Sequence, residues 1–270
     1  MQRAFVAGAL VGIVAPLLGT FLVLRRLSLI ADSLSHVALM GVAVGLVLKT
    51  FPSVFALLTS TTTAAAMEGL RSKGRLPGDA ALALFLYGAL AVAVVLISLS
   101  SGFNVDLFSY LFGSIATVEV RDLVLMGILT GAVLTAVLYY YAELVHTTLD
   151  YDLARVGGVP VDRVNLLLAL LTGATVTISM RLVGVLLVGA LMVIPVLASL
   201  QLDRGFRATL LISVGFGLFS VLVGLLLSFY WDLAAGGAIV LVSLAVFVAM
   251  ALVKRVARLA QDWLRARVPA

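Results

Sequence analysis

Asp32 and His36 stand four residues apart in "LIADSLSHVALMGVAVG", a stretch otherwise apolar enough to lie in lipid. On an α-helix, positions i and i+4 lie roughly 40° apart around the axis and about 6 Å along it, so carboxylate and imidazole share one face. That pair is a borderline ligand set, suited to Zn²⁺, Mn²⁺ or Fe²⁺ rather than to sugars or lipids. The spacing lets both groups reach one ion, as in helical zinc sites. Two ligands leave a site incomplete, and a second copy across a two-fold axis supplies two more. Two other readings of the same residues stay open: a structural hydrogen-bonded pair, and a proton relay of the kind that ionisable groups form inside transporters. Ser33 and Ser35 add small polar groups nearby.

Arg26 marks the start of the span that carries the pair. Asp32 then sits ~9 Å and His36 ~15 Å along the helix, close to mid-membrane. An acid at that depth costs about 2.5–3.5 kcal/mol on insertion scales, so its surroundings must offset the cost.

The rest of the chain explains why a membrane is in question. Of 270 residues, 63% are hydrophobic and 11% charged, and mean hydropathy is +1.22. Apolar stretches of about 20 residues recur, each long enough to cross a core of ~30 Å as a helix. The fold class expected is an all-α, polytopic membrane protein, a single transmembrane domain over 1–270. Nine spans are expected, near 4–24, 28–48, 53–70, 79–99, 122–142, 164–180, 183–202, 208–228 and 237–253, with eight as the nearest alternative. Only Met180 and Arg181 separate the sixth and seventh, which reads as a tight hairpin or as helices too short to cross fully. The first stretch reads as a true span: it lacks a basic start beyond Arg3 and a small-residue cleavage site followed by a soluble domain.

The net charge of +5 does not signal nucleic acid, because the charges cluster at span ends. One arrangement gathers 14 of the 18 basic residues on one side: Arg25, Arg26, Arg71, Lys73, Arg75, Arg155, Arg163, Arg204, Arg207 and a basic tail at 254–270. It leaves Arg3, Lys49, Arg121 and Arg181 for the other. The excess names the first side cytoplasmic, with the N-terminus outside and the C-terminus inside. Tyr139–Tyr141 and Phe229–Trp231 end spans as interfacial anchors do. Gly8 and Gly12, and Gly41 and Gly45, form small-xxx-small pairs that read as close helix packing.

Two segments lie between spans. Residues 100–120 are aromatic and acidic, and read as an external interfacial helix. Residues 143–163 read as a cytoplasmic segment in which Asp150 caps a short helix with Asp152 in its first turn. Leu149, Leu153 and Val156 share one face, and Gly157 and Gly158 stop it. Such a helix either rests on lipid or serves as a knob for a partner protein. Glu68, three residues from Arg71, reads as snorkelling to the interface, and His146 as a residue of a solvated loop. The absence of cysteine excludes thiolate ligands. No phosphate-binding loop surrounds Lys49, Lys73 or Lys254, so an ATP-driven pump built on this chain needs a separate ATPase.

These residues carry a family resemblance. "LSLIADSLSHVALMGVAVG" resembles the signature of the integral-membrane permease subunits of bacterial zinc, manganese and iron ABC importers. "NVDLFSYLFGSI" is similar to that family's external segment, "LDYDLARVGGVPVDRVN" to its coupling segment, and "RLVGVLLVGALMVIPVLASL" to its late helix. The resemblance implies a homodimer in the bacterial cytoplasmic membrane, two cytoplasmic ATPases that hold the ATP, and an external metal-binding lipoprotein or periplasmic protein. It implies a transport subunit that is not itself an enzyme and holds no resident cofactor; the divalent metal is cargo, moved by alternating access. Asp32 and His36 carry over as lining the ion path. Asp150, Tyr151, Asp152, Leu153, Ala154, Arg155, Val156, Gly157, Gly158 and Val159 carry over as the coupling helix. The rivals from other classes are an ATP-independent metal or proton-coupled transporter and a membrane scaffold. Zinc, manganese and iron share these ligand types, so the residues do not separate them.

Overall fold

The computed structural model describes residues 2–72, 78–99, 110–113 and 119–266. Each of the nine apolar stretches is a helix. In chain order the helices are α1 (Gln2–Leu24), α2 (Leu29–Val47), α3 (Pro52–Ser72), α4 (Gly78–Leu99), α5 (Val120–Tyr139), α6 (Tyr141–Leu149), α7 (Tyr151–Val156), α8 (Val161–Val183), α9 (Val185–Leu200), α10 (Phe206–Trp231) and α11 (Ala235–Ala266). Residues 110–112 add one further turn of helix. Most of the external segment, 100–109 and 114–118, lies outside the described residues, as do Lys73, Arg75 and the chain beyond 266.

Among the described residues, 7 helices are long and apolar enough to cross a membrane: α1, α2, α4, α5, α8, α10 and α11. The other two expected spans fall short for different reasons. α3 carries a run of hydroxyls, Thr59 to Thr63, which lowers its hydropathy. Those hydroxyls turn back on the helix: Thr61 Oγ1 donates to the Leu57 carbonyl at 2.7 Å and Thr62 Oγ1 to that of Leu58 at 2.6 Å. This is how such side chains are satisfied away from water. α9 is only 16 residues long, about 24 Å against a ~30 Å core.

The break before α9 falls three residues later than the sequence reading placed it. Met180 and Arg181 continue α8, and the chain turns at Gly184, where φ is 91°. A side chain disfavours that conformation, and a Cβ there would run into the Leu111 carbonyl. The expected span 122–142 likewise ends early, at Tyr139. Tyr140 departs from helical geometry, and α6 begins as a separate helix. Most of the expected cytoplasmic segment 143–163 is therefore helical. His146 is exposed on α6 rather than held in a loop.

Small residues set how close the helices come. A Cβ on Gly41 would stand 2.6 Å from the Ala56 Cα, and one on Gly45 equally close to the Pro52 Cα, so α2 and α3 touch backbone to backbone. Gly12 meets the backbone of Gly217 and Leu218 on α10. Both glycine pairs thus serve packing, the driving force that remains between helices in lipid. Gly19 is among the most constrained: its Cβ would overlap the Met192 carbonyl oxygen of α9. Gly19→Ala is expected to lower the thermal midpoint and yield of detergent-purified protein, costing about 1–3 kcal/mol or more because a backbone must move. Gly215→Ala, with nothing within 4 Å, should leave both unchanged or gain up to about 1 kcal/mol of helix propensity.

α11 is 32 residues long, about 48 Å, and so outruns a bilayer core. Its far end begins the basic tail, where Lys254 Nζ meets Asp203 Oδ2 at 2.7 Å. That hydrogen bond holds the Asp203 carboxyl below its ordinary pKa.

Candidate metal-ion site

Asp32 lies in the first turn of α2. Free N–H groups there and the positive end of the helix dipole favour a carboxylate, which offsets part of its burial. α2 packs against α3, α4, α8 and α9, and nearly all of Ile30–Ala43 is buried. Asp32 is not: its side chain is 42% exposed, whereas that of His36 is 11% exposed. His36 Nε2 stands 4.0 Å from Asp32 Oδ1. That exceeds hydrogen-bond length, so the two are not a closed structural pair. The buried His36 Nδ1 has no protein partner. One face of α2 thus presents a half-exposed carboxylate and, one turn deeper, an imidazole whose hydrogen-bonding capacity the chain leaves unused.

The neighbouring serines act differently from the sequence expectation. Ser33 Oγ donates to the Leu82 carbonyl at 3.1 Å, tying α2 to α4, and Ser35 Oγ donates to the Asp32 carbonyl at 2.7 Å. They fix the helix instead of extending the ligand set. Gly189 on α9 would place a Cβ 3.5 Å from the Asp32 backbone nitrogen, so the broken α8–α9 unit rests beside the acid. Among the described residues no group of three or more His, Asp or Glu could hold a metal ion. Among the described residues of one chain the pair stands alone.

The segment 150–159 forms as expected. Asp150 is extended and accepts at Oδ1 from the Leu153 amide at 2.9 Å, capping α7. Leu149, Leu153 and Val156 are 67%, 69% and 87% exposed, while Ala154 faces inward and is buried. Asp152 and Arg155 are exposed and Tyr151 and Val159 half-buried. Gly157 caps the C-terminus, and Gly158 reverses the chain at φ 83°.

Glu68 does not snorkel. It is 6% exposed, and both its oxygens are held by Arg71, at 2.9 Å from Nε and 2.8 Å from Nη2. Burial is possible because the planar guanidinium satisfies the carboxylate bidentately. Two further polar clusters escaped the sequence reading. Arg181 Nη1 donates to Asp122 at 2.8 and 2.9 Å, and its guanidinium lies 5.9 Å from the Tyr110 ring centroid. Arg25 Nη2 donates to Asn165 Oδ1. Each joins residues far apart in the chain. The only sequence signal was an arginine at the edge of an apolar stretch.

Comparison with known proteins bears on this geometry. Residues 1–254 match the ABC 3 transport family. The chain is 32% identical over 252 residues to the high-affinity zinc uptake system membrane protein ZnuB of Haemophilus influenzae, covering 93% of this chain and 96% of that one. It is also 32% identical over 249 residues to the manganese transport system membrane protein MntC of Halalkalibacterium halodurans, covering 92% and 85%. The fold is similar to a chain of the solved structure of PsaBC from Streptococcus pneumoniae in complex with Fab, with TM-score 0.81, 28% identity, and 92% and 90% covered. A chain of membrane-spanning helices without an ATPase motif, matched along nearly its whole length, belongs to the ABC 3 transport family as the non-enzymatic permease subunit of a metal ABC importer.

Proposed function

We propose that this chain is the permease of an importer that moves zinc or manganese, with iron as a further candidate, across the bacterial cytoplasmic membrane by alternating access. The observation that carries the reading is the half-exposed Asp32 carboxylate next to the buried, unpartnered imidazole of His36. The metals in the names of the relatives from Haemophilus and Halalkalibacterium, zinc and manganese, suit that ligand pair. Because the described residues of one chain bring only two ligands together, the working unit is a homodimer in which two copies of α2 face each other, with surrounding lipid as the other contact. An external metal-binding protein loads the outer face. A cytoplasmic ATPase engages α7, and its ATP-driven closure reorients the helices. The ion exchanges part of its water for carboxylate and imidazole, and binding stays weak enough for it to leave. Nine helices cross, with the N-terminus outside and the C-terminus in the cytoplasm, which puts α7 and the basic end of α11 on the ATPase side.

The test has two arms. Affinity purification of the chain, co-expressed with its chromosomal neighbours, should bring an ATPase with it and yield proteoliposomes that take up zinc or manganese only with ATP. ATP-independent uptake would establish the rival class. In intact cells, a cysteine at Gln2 should react with an impermeant thiol reagent and one at Gln261 should not. The native chain has no cysteine to interfere. Reversed labelling would put α7 outside and remove the coupling scheme.

A further inference from the structure

A second set of charged groups gathers away from the metal site, where the ends of α1 and α3 meet α8. Arg25 leaves α1 and donates to Asn165, one turn into α8. Asn165 is 3% exposed, and its Nδ2 has no other partner. Glu68 and Arg71 of α3 pair bidentately beside it. Burial first, then Arg71, lowers the Arg25 pKa to about 10, while Glu68 and the phenol of Tyr151 act in the opposite sense. The guanidinium therefore remains a cation at neutral pH.

The chain arrangement gives this cluster a direction. Arg25 lies four residues before Leu29, where α2 begins, and seven before Asp32. Only a turn with Arg26 at φ 58° intervenes. Tyr151 opens α7, and Asn165 lies on α8, which follows α7 across a short turn, so the hydrogen bond ties Arg25 to the helix next to α7. A small cavity lined by Ile30, Ala64, Glu68, Arg71, Leu82 and Ala169 separates the Glu68–Arg71 pair from the foot of α2. A partly buried cation follows its partners, because leaving them strands an unpaired charge away from water.

We propose that Arg25 is a positioning residue through which displacement of α7 is passed to the foot of α2, and thereby to Asp32 and His36. This rests on the reading of α7 as the ATPase contact. A static strut is the alternative, and the two differ in the ratio of metal moved to ATP hydrolysed.

The experiment uses the full complex with ATPase and metal-binding protein in proteoliposomes, with zinc and manganese as probes. Arg25→Gln should assemble and hydrolyse ATP at the basal rate, yet move about tenfold less metal per ATP, within the usual range of coupling factors. Arg25→Lys, which keeps the cation, should recover much of that loss. Asn165→Leu, which removes only the acceptor, should fall between. Wild-type metal per ATP in Arg25→Gln, or equal loss in the Gln and Lys variants, overturns the proposal. So does failure of both Arg25→Gln and Asn165→Leu to assemble, which identifies a strut. The Leu153→Asp/Val156→Asp double variant separates the two levels. If it couples normally, the reading of α7 has failed; if it uncouples while Arg25→Gln transports normally, only the role of Arg25 has.

Discussion

Proteoliposomes carrying Asp32→Asn should assemble with the ATPase and take up at least about 100-fold less zinc or manganese than the wild type. Loss of a group that merely orients a metal ligand already costs 10–100-fold, and Asp32 is read as a ligand itself. The substitution keeps the side-chain shape and removes an ionised group from the membrane. Thermal stability should hold or rise, since an ionised acid within the span is what costs energy there. His36→Ala should match it in uptake. It cuts away an imidazole whose Nδ1 has no protein partner, so no hydrogen bond within the chain is lost, and only packing around a largely buried side chain suffers. Uptake and melting temperature measured on the same preparations decide the matter. Normal uptake in well-folded variants would falsify the ion-path assignment. Loss of assembly without any specific transport defect would make the pair structural.

Uncoupling is the expected result at α7. Leu153 and Val156 stand 69% and 87% exposed on a capped helix of six residues. Burial of one such side chain against a partner is worth about 1.5–3 kcal/mol, so two of them supply a large share of a docking contact. Changing both to Asp replaces that gain with the desolvation of two carboxylates. Folding should be unaffected, because neither side chain packs into the bundle, whereas Ala154 on the opposite side does. ATPase retained on the purified permease should fall by more than about tenfold, and metal uptake with it. Unchanged ATPase retention and unchanged uptake would remove α7 from the coupling route.

Much of this was legible in the chain as written. Nine apolar stretches became nine helices because a backbone in lipid must satisfy its own hydrogen bonds, and that demand leaves its mark in local composition. The cap on α7 was readable because Asp150 and the Leu153 amide lie within one turn. Asp32 and His36 share a face by helical geometry alone. The opening before α9 was misplaced by three residues because a glycine in an apolar run carries no sign of its φ; the packing of Gly184 against Leu111 imposes it.

What the sequence by itself determined was therefore local: which segments are helical, which face holds the acid and the imidazole, and where α7 is capped. Only the tertiary structure decided how those groups are used. It left Asp32 half-exposed while burying His36, turned Ser33 toward the Leu82 carbonyl, and set Glu68 against Arg71 in a buried pair instead of letting it reach the interface. It joined Arg25 to Asn165, 140 positions along the chain, and Arg181 to Asp122. The physical reason is that helix formation depends on residues within one turn, whereas the fate of a charged side chain depends on what packs beside it. In a bundle of apolar helices that neighbour comes from a distant stretch whose composition looks like every other.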